Sequence, residues 1–194
     1  YIGIDEVGRG PLAGPVTVCA MAMKSKTAPF LKGVRDSKKL TPNGRDIWFK
    51  KIVQEKKDGN LCFAISSISN KFIDQYGLSQ AIRSAIDRSL REINIAPDKC
   101  LVLLDGGLKA QEEYIYQETI IRGDEKEQII AAASIVAKVN RDRLMCKYAT
   151  KFPQHRLEKH KGYGTREHYE MIKKYGVCEI HRISFLKNIG IKKM

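Results

Sequence analysis

The sequence predicts a mixed α/β fold in which helices cover a central sheet, and two observations predict it. β-prone segments dominate the first part of the chain, and later strands alternate with helical segments. In addition, Leu101–Leu104 is a continuous apolar run that ends at Asp105-Gly106-Gly107, a pattern typical of a strand buried on both faces. At 194 residues the chain is long enough for one compact domain with a helical appendage.

Five segments have the composition of strands and are bounded by turn residues. The first ends before the turn Gly8-Arg9-Gly10-Pro11, and the second, rich in Val and Ala, is expected to return beside it as its antiparallel partner. The predicted strands are Tyr1–Asp5, Pro15–Met23, Leu61–Ile68, Leu101–Leu104 and Glu118–Ile121.

Capping residues and prolines define the helices. Thr41-Pro42 is an N-cap and first-turn pair, Ser79 is expected to cap a second helix, and Pro153 ends the longest helical pattern. Ala131–Ala133 makes that longest helix narrow enough to pack tightly on a sheet. The predicted helices, with their caps, are Thr41–Val53, Ser79–Ile93, Glu127–Thr150 and Glu167–Tyr175, with a loop over Arg156–Thr165.

The charge of the chain indicates a polyanionic partner. Thirty-five Lys and Arg residues against 22 Asp and Glu residues give a formal net charge of +13, and the isoelectric point is near 9.5. Such an excess attracts nucleic acid at long range, although a generally basic proteome or a need for solubility would also produce it. No apolar run approaches the ~18 residues of a membrane span, and no export signal is visible, so we expect a cytoplasmic protein without a membrane partner.

The five cysteines do not predict a disulfide or a zinc site. They are Cys19, Cys62, Cys100, Cys146 and Cys178, at wide spacing and with no C-x-x-C pair. We therefore expect free thiols in a reducing compartment.

Acidic residues stand beside glycine at three predicted strand ends. Asp5-Glu6 precedes Gly8, Asp105 precedes Gly106, and Asp124 follows Gly123. Taken singly, an Asp-Gly pair is more often a turn, and an Asp before a helix is more often a cap. Three such placements together favour a crevice lined with carboxylates, whose mutual repulsion a hard divalent cation relieves.

Seven blocks of sequence resemble the ribonuclease HII family, in the family's order from residue 2 to residue 185. The longest are Asp5-Glu6-Val7-Gly8-Arg9-Gly10-Pro11-Leu12-Ala13-Gly14-Pro15-Val16 and, from Ala131 to Arg143, Ala-Ala-Ala-Ser-Ile-Val-Ala-Lys-Val-Asn-Arg-Asp-Arg. Shorter matches are Asp36-Ser37-Lys38-Lys39-Leu40, Leu104-Asp105-Gly106, Gly123-Asp124-Glu125-Lys126, Lys161-Gly162-Tyr163-Gly164-Thr165 and His181-Arg182-Ile183-Ser184-Phe185.

The resemblance implies a ribonuclease H-like fold with a five-stranded mixed sheet, three strands antiparallel and two parallel, flanked by helices. It implies a catalytic domain over residues 1–152 and a C-terminal helical and loop extension over residues 153–194, packed on the same domain. The first strand then lies beside the strand that ends at Asp105.

The resemblance also implies the catalytic residues and metal ligands, namely Asp5, Glu6, Asp105 and Asp124. Adjacent residues of a regular strand point to opposite faces, so we expect the first strand to end or bulge at Glu6. Asp142 is left out of this set, because Lys138 lies four residues before it and an ion pair on the helix is the simpler interpretation.

The activity implied is hydrolysis of the RNA strand of RNA–DNA hybrids, and cleavage 5′ of single ribonucleotides in duplex DNA. Two Mg²⁺ or Mn²⁺ ions, with Asp5 as the shared ligand, would act on the phosphodiester and leave a 3′-hydroxyl and a 5′-phosphate. The expected role is ribonucleotide removal in DNA replication and repair, by a monomer. The expected substrate-binding residues are Gly8, Arg9, Gly10 and Tyr163 at the sugar, and Ser37, Lys38 and Lys39 on phosphates at a distance from the cut.

Two alternatives remain at this stage. Ribonuclease HIII shares the metal site but usually has Lys where this chain has Arg9, between the two glycines. A nucleic-acid-binding module without catalysis would have a disrupted set of carboxylates, whereas all four acids are present here.

Overall fold

One five-stranded sheet organises the molecule, in a computed structural model that describes residues 1–34 and 37–186. The strand order is β3-β2-β1-β4-β5. The first three strands in the chain pair antiparallel, and β1, β4 and β5 pair parallel, which confirms the predicted mixed sheet. The strands are β1 (Ile2–Val7), β2 (Val16–Ala22), β3 (Cys62–Ile68), β4 (Val102–Asp105) and β5 (Gln117–Ile120).

Helices cover both faces of the sheet. They are α1 (Pro42–Lys57), α2 (Asn70–Tyr76), α3 (Leu78–Ile93), α4 (Gly123–Lys126), α5 (Gln128–Lys151), α6 (Leu157–His160) and α7 (Arg166–Tyr175). Short 3₁₀ turns lie at Pro29–Leu31, Ser37–Lys39, Pro97–Lys99, Pro153–His155 and Ile183–Phe185. In the part of the chain that the structure describes, no helix combines the length and the apolar character that crossing a membrane requires.

The period-2 alternation of β1 divides the core in two. Ile2 and Ile4 belong to the apolar cluster beneath α3, while Gly3 faces α5. Helix α5 packs so closely there that a Cβ built on Gly3 would lie 2.8 Å from the main-chain carbon of Ile129. The small residues Ala131–Ala133 permit this approach, as the sequence predicted, and fix α5 over the strand that carries Asp5 and Glu6.

The prediction that the first strand ends or bulges at Glu6 is wrong. Strand β1 stays in regular register with β2 through Glu6↔Val18 and Val7↔Thr17. The chain leaves the strand only at Gly8, whose φ of +96° is a conformation that favours glycine. Because β2 remains available as a hydrogen-bonding partner, a regular strand satisfies the backbone up to Val7 without a bulge.

The structure confirms one predicted helix cap, contradicts another, and adds a helical turn to a predicted loop. Thr41 caps α1 by accepting from the Gly44 N–H, as predicted, although the helix continues to Lys57. Ser79 is not a cap, because α3 begins after Gly77 and a separate helix, α2, capped by Ser69, precedes it. The predicted loop after Pro153 contains the single turn α6.

The C-terminal segment joins the loop between β1 and β2 by main-chain hydrogen bonds. The Leu12 N–H donates to the Gly162 carbonyl, and the Gly14 N–H donates to the Ile180 carbonyl. A β-bridge pairs Ala13 with His181. The division into residues 1–152 and 153–194 stays a prediction, and Asp36 and the last part of the extension, residues 187–194, lie outside the described residues.

The contact between Gly3 and α5 predicts a steep cost for a single methyl group. Gly3→Ala should lower the free energy of unfolding by about 1–3 kcal/mol, because the new Cβ forces α5 away from β1. Urea denaturation followed by circular dichroism measures this. The matched control is Gly107→Ala, where a Cβ meets nothing within 4 Å, and equal stability of the two variants would contradict the close approach.

Candidate metal centre and nucleic-acid interface

The four predicted acids lie at the carboxyl ends of the parallel strands β1 and β4 and at the start of α4. The parallel register pairs Ile4 with Leu104, and one further step sets Asp5 beside Asp105. Asp5 and Asp124 are only 4% and 5% exposed. The crevice beyond the ends of parallel strands is where α/β proteins place their ligands.

Asp5 is a buried carboxylate with two donors. Its Oδ1 accepts the Glu6 N–H at 2.8 Å, and the hydroxyl of Ser134, on α5, hydrogen-bonds the same side chain. Burial raises the pKa of Asp5 well above its usual value, and the neighbouring charges of Glu6 and Asp105 raise it further, while Ser134 opposes the rise. The site therefore disfavours a bare negative charge at Asp5.

Glu6 is held on one side and unsatisfied on the other. Its Oε1 accepts from Arg9 Nη1 at 3.0 Å, whereas its Oε2 is buried and has no hydrogen-bond partner among the described residues. Burial raises the pKa of Glu6, and Arg9 partly offsets this rise. A buried carboxylate oxygen without a donor is costly unless a cation or a ligand completes it.

Gly123, which precedes Asp124 in the chain, connects Asp124 to Asp105 by a hydrogen bond. The Gly123 N–H donates to Asp105 Oδ1 at 2.6 Å, which fixes the first turn of α4 against the end of β4. Asp124 is the next residue, and Lys38 Nζ lies 3.3 Å from its Oδ2. A Cβ on Gly123 would meet Ile130 at 2.7 Å, so the glycine is what allows this close approach.

The four acids fit a hard divalent cation. All their ligand atoms are carboxylate oxygens, the kind that Mg²⁺ and Mn²⁺ prefer, and Glu6 Oε2 is available and buried. In the described part of the chain these oxygens do not gather three at a time within 4.8 Å of one another. These four acids therefore do not form a closed cage of ligands by themselves.

The turn Ser37–Lys39 lies at the acids, closer than the sequence suggested. Ser37 is buried, and its hydroxyl is 2.8 Å from the hydroxyl of Ser134, which in turn contacts Asp5. Lys38 pairs with Asp124, and Lys39 pairs with Glu125 at 3.1 Å. Arg45 donates to the carbonyls of Ser37 and Leu40 and so fixes the turn.

Two buried arginines hold the loop that contains Gly8, Arg9 and Gly10. Arg182 donates to the carbonyls of Gly8, Arg9 and Gly14 at 2.7–2.9 Å. Arg141, on α5, donates to the carbonyls of Ala13, Pro15 and Lys161 at 3.0–3.2 Å. The loop is thus rigid on its inner side, while Arg9 and Gly10 are exposed on its outer side.

Tyr163 stands at the edge of a basic groove. Its ring is 38% exposed, and Lys138 Nζ and Arg141 Cζ each lie 5.7 Å from the ring centre. Lys138 is one turn along α5 from Ser134, a rise of about 6 Å. The groove, of about 560 Å³, is lined by Tyr163, by five basic residues (Arg45, Lys138, Arg143, Lys159 and Lys161) and by two acids, Asp46 and Asp142, which pair with Arg143 and Lys138.

The site also involves residues outside the predicted set of ligands and substrate contacts. Asp142 forms the predicted ion pair with Lys138 at 2.8 Å. Ser134, Arg141 and Arg182 were not singled out, although all three lie inside sequence blocks that resemble the family. Their roles depend on contacts made far along the chain, and no local sequence pattern signals them.

Sequence comparisons with known proteins agree on one family. A family model described as Ribonuclease HII matches residues 2–188. A ribonuclease HII of Caldicellulosiruptor bescii is 46% identical over 187 residues, covering 96% of this chain and 86% of that protein.

Solved structures agree on the fold. The structure of the PCNA–RNase HII complex from Archaeoglobus fulgidus matches with a TM-score of 0.73 at 23% identity, covering 100% of this chain and 98% of that chain. Ribonuclease H2 from Pyrococcus horikoshii matches with a TM-score of 0.69 at 25% identity, covering 96% and 99% of the two chains. These likenesses confirm the predicted ribonuclease H-like fold.

The raised pKa values of Asp5 and Glu6 predict a stability that falls as pH rises. The folded state binds protons more tightly than the unfolded state, so stability is lost as these carboxyls ionise above their ordinary range. In chelator, Asp5→Asn should therefore melt higher than the wild type at pH 8, by about 2–4 °C for each kcal/mol of relieved strain, and the gap should close near pH 4.

Thermal denaturation at the two pH values measures this difference, and Mn²⁺ should stabilise the wild type more than the variant. Glu112→Gln, at an exposed acid, is the matched control and should change neither quantity. A wild type that melts higher than Asp5→Asn in chelator at pH 8 would contradict the inferred repulsion among the carboxylates.

Proposed function

We propose a more specific activity for this chain, which belongs to the ribonuclease HII family and is a metal-dependent endoribonuclease that cleaves the RNA strand of RNA–DNA hybrids. It cuts 5′ of single ribonucleotides embedded in duplex DNA and leaves a 3′-hydroxyl and a 5′-phosphate. The observation that carries this proposal is the set of four carboxylates, with the unpaired Glu6 Oε2 among them, beside an exposed loop able to approach a sugar. Its role is ribonucleotide removal in DNA replication and repair.

Asp5, Glu6, Asp105 and Asp124 are the proposed ligands of two Mg²⁺ or Mn²⁺ ions, with Asp5 shared between them. Two such ions, held by these four acids, would supply positive charge for the scissile phosphate, an activated water and stabilisation of the leaving oxygen. Four carboxylates compensate the charge of two divalent ions, so the phosphate enters a site of little net charge. Hydrogen bonds and ion pairs from neighbouring residues hold the acids in place.

Ser134 and the turn at Ser37 orient the shared ligand. Hydrogen bonds connect Asp5 to Ser134, and Ser134 to Ser37. A carboxylate fixed from behind presents a defined oxygen to an ion, as outer partners do in metal sites. Lys38, next to Asp124, and Lys39 add positive charge at the rim, where they can meet phosphates near the cut rather than far from it.

The loop Gly8-Arg9-Gly10 is the proposed reader of the 2′-hydroxyl, the group that distinguishes RNA from DNA. Arg182 engages the carbonyls of Gly8 and Arg9, so the loop can turn N–H groups toward a sugar. A Cβ built on Gly10 meets nothing within 4 Å, and its open surroundings admit a sugar–phosphate backbone. Arg9, paired with Glu6, places this reader beside the acids.

Tyr163 and the basic groove are the proposed docking surface for the duplex. The exposed ring can lie against the nucleotide that follows the ribonucleotide, while the Lys and Arg residues of the groove contact phosphates. The partner is therefore an RNA–DNA hybrid or a ribonucleotide-containing DNA duplex. We further propose a monomer that acts in the cytoplasm.

The proposal predicts that Asp5→Asn loses cleavage but keeps duplex binding. The assay measures cleavage of a DNA duplex with one ribonucleotide and of a continuous RNA–DNA hybrid, each in the presence of Mg²⁺, Mn²⁺ or EDTA. Wild type and Glu112→Gln should cut both with metal and neither with EDTA. Asp5→Asn should retain less than a tenth of the rate, a loss above ~1.4 kcal/mol.

Each result of this assay decides a different point. Activity of Asp5→Asn above a tenth would refute its role as shared ligand. Cleavage of the hybrid but not of the single-ribonucleotide duplex would refute the finer activity and leave the family's activity intact. Binding without cleavage by the wild type would favour a binding module.

A second prediction concerns Tyr163. Stacking is worth ~1–3 kcal/mol per contact, so Tyr163→Ala should slow cleavage at a single ribonucleotide by roughly ten- to a hundredfold. Tyr163→Phe keeps the ring and should lose less. Single-turnover rates on the two substrates measure this, and equal losses on both would show that Tyr163 does not read the RNA-to-DNA junction.

A further inference from the structure

All four histidines of the chain lie together, away from the carboxylates, and the proposed function uses none of them. His155 follows α5, His160 ends α6, His168 is in α7, and His181 precedes Arg182. All four are buried, and Cys178, half-buried, stands beside them. We call His155, Cys178 and His181 the His–Cys cluster.

Two of the histidines are fully occupied by hydrogen bonds. His160 contacts the His155 carbonyl through Nε2 and the Gly162 N–H through Nδ1. His168 contacts the Tyr163 carbonyl through Nδ1 and His181 through Nε2, and its ring stacks on His160. Packing and hydrogen bonding account for these two without a ligand.

His155 is different. It is 0% exposed, and neither its Nδ1 nor its Nε2 has a hydrogen-bond partner among the described residues. Its ring meets the ring of His181 edge-on, with the centroids 4.9 Å apart. A polar group buried without a partner costs about 1–3 kcal/mol, which a ligand in the same space would offset.

The hydrogen-bond network leaves a lone pair on His181 directed at Cys178. The Tyr163 carbonyl requires a proton on His168 Nδ1, so His168 Nε2 accepts and His181 Nε2 donates. The Nδ1 of His181 is then unprotonated, which agrees with the Cys178 N–H that donates to it at 2.9 Å. Cys178 Sγ lies 3.2 Å from this nitrogen.

We propose that His155, Cys178 and His181 bind one Zn²⁺ ion. One ligand atom from each residue lies within 4.8 Å of the others. With Zn–N bonds of about 2.0–2.1 Å and a Zn–S bond of about 2.3 Å, ligand atoms in a tetrahedron stand roughly 3.3–3.7 Å apart. The observed spacing therefore needs only a small contraction at His155, and water can take the fourth position on the half-buried side of Cys178.

The chemistry of the cluster favours zinc over the ions of the carboxylate crevice. Two imidazoles and a thiolate are ligands for Zn²⁺, whereas Mg²⁺ and Mn²⁺ prefer oxygen. A metal ion needs an unprotonated ring nitrogen, and His181 Nδ1, which accepts the Cys178 N–H, is one. Binding releases the Cys178 thiol proton to solvent and replaces the Cys178 N–H contact at His181 Nδ1.

The site would tie two distant segments to the substrate-binding loop. His155 follows α5, while Cys178 and His181 lie within the four residues before Arg182, which holds the carbonyls of Gly8 and Arg9. His181 also orients His168, which holds the Tyr163 carbonyl. Zinc here would stabilise the fold and brace both proposed substrate contacts, without taking part in catalysis and independently of the proposed function.

Cobalt titration of the full-length protein tests the site. Co²⁺ bound to a thiolate gives a charge-transfer absorption that carboxylate ligands cannot produce. One equivalent should generate this band in metal-free wild type, and one equivalent of Zn²⁺ should abolish it. The band should persist in Cys62→Ser, which removes an exposed thiol, and in Asp5→Asn, and binding should weaken at least a hundredfold in Cys178→Ser and in His155→Phe.

Alkylation needs no variant and guards against misfolded ones. Zn²⁺ should slow modification of Cys178 by iodoacetamide at least tenfold in the wild type, while exposed Cys62 reacts at an unchanged rate, as followed by mass spectrometry. Absence of a cobalt–thiolate band, a band retained in both cluster variants, or unprotected Cys178 would each overturn the proposal. A band lost in Asp5→Asn would also overturn it, because the cluster does not include that residue.

Discussion

Two buried guanidinium groups hold one loop by hydrogen bonds, and the rest of the site depends on this interaction. Arg141 and Arg182 together donate six hydrogen bonds, five of them to main-chain carbonyls between Gly8 and Pro15. Neither pairs with a carboxylate within 4.0 Å in the described part of the chain. A buried charge of this kind is stable only with full hydrogen bonding, so the loop and the arginines fix one another.

These hydrogen bonds explain the local sequence better than turn propensity does. A Cβ on Gly8 would lie 2.4 Å from Arg141 Nε, and one on Gly14 would lie 2.4 Å from the sulfur of Met145. Both glycines also have positive φ. They are needed for the turn and for the closeness of α5, and the planar five-donor guanidinium could not be replaced by the single ammonium of Lys.

The sheet and its acids could be predicted because they depend on local pattern, whereas the supporting residues could not. Caps, apolar runs and the resemblance placed five strands and the order of β1 beside β4. The end or bulge expected at Glu6 followed from strand geometry alone. In the structure β1 stays regular, so Asp5 and Glu6 point to opposite faces of the strand, and the site includes both faces. Ser134 and the His–Cys cluster depend on contacts between segments many residues apart, and the spacing Cys178-x-x-His181 was the one signal in the sequence for the latter.

The charge of the molecule acts at two ranges, and the two do not conflict. A net charge of +13 raises the local concentration of a polyanion at distances up to the Debye length, about 8 Å at physiological salt. Within the crevice the sign reverses, because buried Asp5, Glu6 and Asp124 dominate over a few ångströms. Lys38 and Lys39 stand at the boundary, each paired with an acid of α4, so they moderate repulsion among the carboxylates while facing the approach of a phosphate. Added salt should then weaken docking in the groove far more than it alters the buried acids, whose mutual interaction is screened little.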